Sequence, residues 1–102
     1  MSNKNQQLPP VHPGEILREE LMKPLGLSIN RVARDLRVPV TRMSKIVNGR
    51  RSITADTALR LSRYFGSSPQ LWMNLQAAYD LEVVTRASAE RIARDVHPRE
   101  AA

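Results

Sequence analysis

The chain has 102 residues, 41% hydrophobic and 25% charged, with no cysteine and a formal net charge of +6. This suits one domain with a modest core, and it excludes a disulfide framework and a thiolate metal site. The opening MSNKNQQLPP has no apolar signal core and no apolar run is long enough to span a bilayer, so a soluble, cytoplasmic protein without a membrane partner is expected.

Strand signals are weak and apolar spacings of three and four recur, which predicts an all-α domain. Residues 1–11 read as a flexible arm. Helix 1 starts at His12-Pro13-Gly14-Glu15, since proline suits a first helical position whose N–H would go unpaired. Glu15, Glu19 and Glu20 complement the positive end of its dipole. Ile16, Leu17 and Leu21 form the buried stripe, and Pro24 and Gly26 end the helix.

Helix 2 has Ser28 as N-cap and the apolar positions Ile29, Val32, Ala33 and Leu36. It stops near Arg37, because Val38 precedes Pro39 and a residue before proline is driven out of the α region. Pro39 then opens helix 3, with Val40, Met43, Ile46 and Val47 on its apolar side and Gly49 as left-handed cap. Arg50 to Ile53 is a short loop. Helix 4 begins at the Thr54 cap with Asp56 in its first turn, buries Ala58, Leu61, Ser62 and Phe65, and ends at Gly66. Helix 5 begins at Ser68-Pro69 and carries Leu71, Trp72, Leu75, Ala78 and Tyr79 at helical spacing. Beyond Tyr79 the pattern weakens, although Ser88 to Val96 can form a further amphipathic helix within a C-terminal extension, residues 87–102, that frays at HPREAA.

Charge is the most informative feature. Between Ser28 and Arg51 lie Arg31, Arg34, Arg37, Arg42, Lys45, Arg50 and Arg51 against one acid, Asp35. The nine basic and nine acidic residues elsewhere cancel, so the whole excess of +6 sits on one helical pair. A generally basic surface would spread the excess along the chain, whereas a local excess is the electrostatic footprint of a nucleic-acid binder. Two short helices joined by a tight turn make a helix-turn-helix, in which the second helix enters the major groove by its N-terminal part. The outward residues there are Val40, Thr41, Arg42 and Lys45. Arg42 or Lys45 can address guanine acceptors, and Val40 or the Thr41 methyl a thymine methyl. Ser28, Asn30, Asn48, Arg50 and Arg51 flank the helix and suit phosphate contacts, which set register without reading sequence.

The pattern formed by Ser28, Ala33, Leu36, Val38, Ser44, Ile46, Asn48 and Gly49 resembles the Cro/repressor (XRE) helix-turn-helix family. Three flanking segments, His12 to Leu17, Ile53 to Ala58 and Pro69 to Gln76, are similar to those of HigA-type antitoxins, and the likeness runs from about Val11 to Arg86. The resemblance implies a five-helix DNA-binding domain over residues 12–86. It also implies a homodimeric repressor of its own operon that binds double-stranded operator DNA and neutralises a HigB-type, mRNA-cleaving toxin. In such proteins the reading residues are early in the second motif helix, here Val40, Thr41, Arg42 and Lys45. The broader family often has glycine in the turn where this chain has Arg37, which would cost roughly 1 kcal/mol if that residue is left-handed.

Two other functions fit the same residues: a stand-alone transcriptional regulator without a toxin, and a protein-interaction module with a basic face. Catalysis is not expected, nor any cofactor or metal. The histidines, His12 and His97, lie at opposite ends of the chain, with His12 better placed to cap helix 1. Neither a phosphate-binding glycine loop nor a nucleophile with an arranged base is present. Trp72 and Tyr79 share a helix face and read as core rather than as a stacking platform, while Leu81, Val83 and Val84 are better candidates for self-association.

Overall fold

Five helices and no strand occur among residues 8–100, the part of the chain that the computed structural model describes. Residues 1–7 of the expected arm, and residues 101–102, lie outside it. The first helix, α1, joins an α-helical turn (Pro13–Ile16), a π-helical stretch (Leu17–Met22) and a closing turn (Lys23–Leu25). Then follow α2 (Ile29–Leu36), α3 (Val40–Val47), α4 (Ala55–Phe65) and α5 (Pro69–Asp95).

Local chemistry accounts for most of these boundaries. The imidazole of His12 caps α1, its Nδ1 accepting the Gly14 N–H at 2.8 Å. Ser28, Thr54 and Ser68 cap α2, α4 and α5 by accepting from Arg31, Thr57 and Leu71. Gly26, Gly49 and Gly66 supply left-handed residues after α1, α3 and α4. Pro24 does not end α1 as expected; it lies inside the last turn, and the helix closes at Gly26. Proline has no N–H to donate, and its ring displaces the carbonyl four residues back. The wider π-helical turn, in which the Lys23 N–H reaches Arg18 O, accommodates it.

The core takes Leu17 and Met22 from α1, Val32, Ala33 and Leu36 from α2, and Met43, Ile46 and Val47 from α3. Ile53, Ala58, Leu61 and Trp72 complete it. Some expected core positions fall outside: Val40 and Leu71 are each 46% exposed, Ala78 is exposed, and Ile29 and Phe65 are half-buried. Trp72 is core, its Nε1–H donating to Ser67 Oγ at 3.0 Å. Tyr79 is half-buried, its ring edge-on to His12.

The C-terminal part differs more from expectation. Instead of a fifth helix and a separate sixth, α5 runs 27 residues without a break and passes through Arg86. No glycine or proline lies between Gln70 and His97 to stop it, and pairs four apart, such as Arg86 with Glu82 at 2.7 Å, support it. The valines at 83 and 84 lower helix propensity too little to break it. At 1.5 Å per residue α5 is about 40 Å long. After Tyr79 its residues are exposed, Ser88 alone being half-buried, and Leu81, Val84 and Ile92 form an open apolar stripe.

One contact places α1 on the helix pair. Gly14 is buried where a Cβ would overlap the carbonyl oxygen of Ile46, the oxygen that also accepts the Gly49 N–H at 3.0 Å. Backbone therefore packs on backbone, and only glycine fits. Gly14→Ala is expected to cost about 1–3 kcal/mol through overpacking, read as a lowered urea midpoint at unchanged m-value; an unchanged midpoint would show that α1 moves freely over α3.

Candidate nucleic-acid interface

The helix pair is joined through a Schellman turn. Arg37 has φ 62° and is the one non-glycine residue with positive φ among those described. Its N–H reaches Arg34 O at 3.2 Å and the Val38 N–H reaches Ala33 O at 3.0 Å, while Val38 packs down onto the core. The left-handed arginine thus carries the steric cost that glycine would avoid. A side chain from α4 supports the turn: Arg60 Nη1 donates to Leu36 O at 2.9 Å and to Arg37 O at 3.5 Å.

On α3, Val40, Thr41 and Lys45 are exposed. Thr41 and Lys45 are four apart and share one strip. No side chain caps the helix at Pro39, so its first turn offers backbone donors outward. Arg42 stands to one side of the strip and is half-buried, its Nη1 donating to the Asp56 carboxylate of α4 at 3.1 Å. The same carboxylate oxygen accepts from Arg60 Nε at 2.9 Å. Hydrogen bonds from Arg60 and then Arg42 hold the Asp56 carboxyl below the usual carboxylate range.

The flanking residues are also exposed: Ser28 and Asn30 on the α2 side, Asn48, Arg50 and Arg51 beyond α3. Ser28 Oγ spends its acceptor on the Arg31 N–H and keeps its own O–H free to donate. Asn48 Nδ2 is turned back onto Ser44 O at 2.8 Å. Asp35 accepts the Tyr64 hydroxyl and pairs with Arg31 at 2.8 Å, and the hydrogen bonds from Tyr64 and then Arg31 lower its carboxyl pKa.

The loop carrying Arg50 and Arg51 is anchored at both ends. Arg50 N–H closes on Lys45 O at 2.7 Å. Ile53 is buried, and its N–H donates to Gln76 Oε1 at 2.8 Å, while Gln76 Nε2 donates to Asp80 Oδ1 at 2.9 Å. Nothing in the sequence marks Gln76, because a glutamine on a helix face carries no periodic signal. Asp56 is legible only as an acid in the first turn of α4, and nothing in the sequence marks its reach to Arg42 or that of Arg60 to Leu36.

Residues 18–72 match the helix-turn-helix family. Virulence-associated protein I of Dichelobacter nodosus is 55% identical over 82 residues, 80% of this chain and 75% of that one. Among solved structures, an addiction module antidote protein of the HigA family from Coxiella burnetii is 48% identical, with 90% of this chain and 100% of that one aligned at TM-score 0.84. The chain belongs to the HigA-type helix-turn-helix family. A second family structure, antitoxin HigA of Pseudomonas aeruginosa with the higBA promoter, is 42% identical and covers 89% of this chain and 99% of that one at TM-score 0.85. None of the described helices is long and apolar enough to cross a membrane.

His12 gives this scaffold a pH dependence. Its Nδ1 must stay unprotonated to accept from Gly14. Burial lowers its pKa, against smaller opposite effects from the Asp80 charge and a hydrogen bond to the Arg51 backbone. The unfolded chain therefore binds this proton first, so the His12 contribution is complete above about pH 6.5 and declines as pH falls through that value towards the folded pKa. Melting temperature is expected to drop between about pH 7 and 5.5, and His12→Asn, which keeps a cap acceptor without titrating, should flatten that slope. An equal slope in the variant would assign the drop to other groups.

Proposed function

We infer that the protein is a DNA-binding antitoxin that represses its own operon and neutralises a HigB-type, mRNA-cleaving toxin. The observation that carries the DNA-binding part is the uncapped start of α3, with Val40 and Thr41 outward in its first turn, Lys45 one turn further along the same strip, and Arg42 beside them. These four read bases, and Ser28, Asn30, Asn48, Arg50 and Arg51 hold phosphates on either side. The HigA of P. aeruginosa bound to its promoter supports the same use of this fold.

The second half of α5 suits a homodimer, since Leu81, Val84 and Ile92 lie open on one helix and a helix-turn-helix reads two half-sites when paired. Toxin neutralisation rests on family membership. The protein acts by binding and not as an enzyme, and its place is the cytoplasm, where operator and toxin are found.

Binding to duplex DNA from immediately upstream of the gene, against scrambled duplex and across a salt series, tests the reading. Affinity for the upstream DNA is expected to fall steeply with salt, with a log–log slope of about −0.9 for each phosphate neutralised. Equal affinity for both duplexes would leave only generic basicity. Within the same assay, Arg42→Ala should cost on the order of 1–3 kcal/mol at one base position and relax specificity there. Uniform weakening on every sequence would make Arg42 a backbone contact instead.

A further inference from the structure

Asp56 is a carboxylate at the edge of a face built to meet phosphates, where a negative charge works against binding any duplex. Its charge is committed to two arginines. One carboxylate oxygen accepts from Arg42 Nη1 at 3.1 Å and from Arg60 Nε at 2.9 Å. Arg60 is fixed in turn by its bond to the Leu36 carbonyl at 2.9 Å. The Arg42 guanidinium is therefore bracketed to a carboxylate whose own partner is fastened to the turn. Beside them, Arg42, Arg51, Ser52, Thr54, Thr57 and Arg60 line a polar cavity that Asp56 shares.

We propose that Asp56 is a positioning residue that sets the DNA specificity of this protein through Arg42. Two acceptors compete for Arg42. An exposed ion pair is a weak contact, so the bidentate acceptors of a correctly placed guanine, a stronger partner for arginine, draw Arg42 away from Asp56 or share it. On the wrong sequence no such acceptor is present, Arg42 stays on Asp56, and its positive charge is withheld from the adjacent phosphates. Asp56 thus penalises non-specific binding more than operator binding, a form of discrimination by disfavouring the competitor. It also holds the guanidinium to one position, which reduces the freedom lost on reading a base.

This inference rests on α3 being the reading helix, and the test separates the two. Binding of the full chain to upstream and scrambled duplexes is measured for wild type, Asp56→Asn, Arg42→Ala and the double variant, with far-UV circular dichroism to confirm folding. Asp56→Asn is expected to raise affinity for scrambled DNA and to lower the upstream-to-scrambled ratio about tenfold. Its salt slope on scrambled DNA should steepen by about 0.9 for each arginine released to a phosphate. In the Arg42→Ala background the same substitution should leave the ratio within about twofold, a coupling that a merely structural role would not produce. If Asp56→Asn keeps the full ratio, or lowers it equally without Arg42, the proposal fails while DNA reading by α3 stands. If wild type does not discriminate at all, the reading of α3 fails first. Asp56→Ser, which also suits a first helical turn, gives the same comparison should Asp56→Asn not fold.

Discussion

Arg60 donates to Leu36 O at 2.9 Å and to the Asp56 carboxylate of its own helix at 2.9 Å, and that carboxylate also accepts from Arg42 at 3.1 Å, so α4 is tied both to the turn between α2 and α3 and to the flank of α3 itself. The turn needs the support. Its left-handed residue is an arginine at φ 62°, where glycine is the unstrained choice. The carbonyls that end α2 would otherwise look to water for their partners. A single planar guanidinium, with donors directed two ways, satisfies the helix end and, through Asp56, organises the arginine beside the exposed strip of α3. The angle at which α3 leaves α2, and hence what it can present to DNA, depends on this junction and on the glycine contact that seats α1 against Ile46.

The loop beyond α3 is held in the same spirit. Arg50 and Arg51 are exposed, but the chain that carries them is pinned by the buried Ile53 and by its bond to Gln76 on α5. His12 closes the other side, linking the α1 start to the ring of Tyr79 and to the Arg51 backbone. Flexible cations are thus mounted on rigid backbone, an arrangement that would lower the ordering cost of the phosphate contacts proposed for them. The long α5 has two distinct halves: the first anchors the loop, and the second carries the open apolar stripe of Leu81, Val84 and Ile92.

Much of the fold was legible because its signals are local. The caps at Ser28, Thr54 and Ser68, and the left-handed glycines at 26, 49 and 66, depend on residues within one turn of each other. The strip of Val40, Thr41 and Lys45 follows from helical periodicity. What could not be read is what joins residues far apart in the chain: Arg42 to Asp56 across 14 positions, Ile53 to Gln76 across 23, Arg60 to Leu36 across 24. No period announces such pairs, and each is a polar contact between residues that look like ordinary surface. The π-helical stretch was missed for a different reason, since proline there is absorbed by widening the helix rather than by ending it. The pattern weakens after Tyr79 because the residues there are exposed and not because a breaker intervenes, so the expected C-terminal helix is continuous with α5.

On the function proposed above, the N-terminal half of α3 lies in the major groove of operator DNA. Dimethyl sulfate footprinting on the upstream duplex tests it most directly, because the reagent methylates guanine N7 in the major groove and adenine N3 in the minor groove. The account predicts guanine N7 protection in two clusters about 10–10.5 base pairs apart, or a multiple of that spacing, as expected for a paired helix-turn-helix. Protection confined to adenine N3, or a pattern no different from that on scrambled DNA, would contradict it.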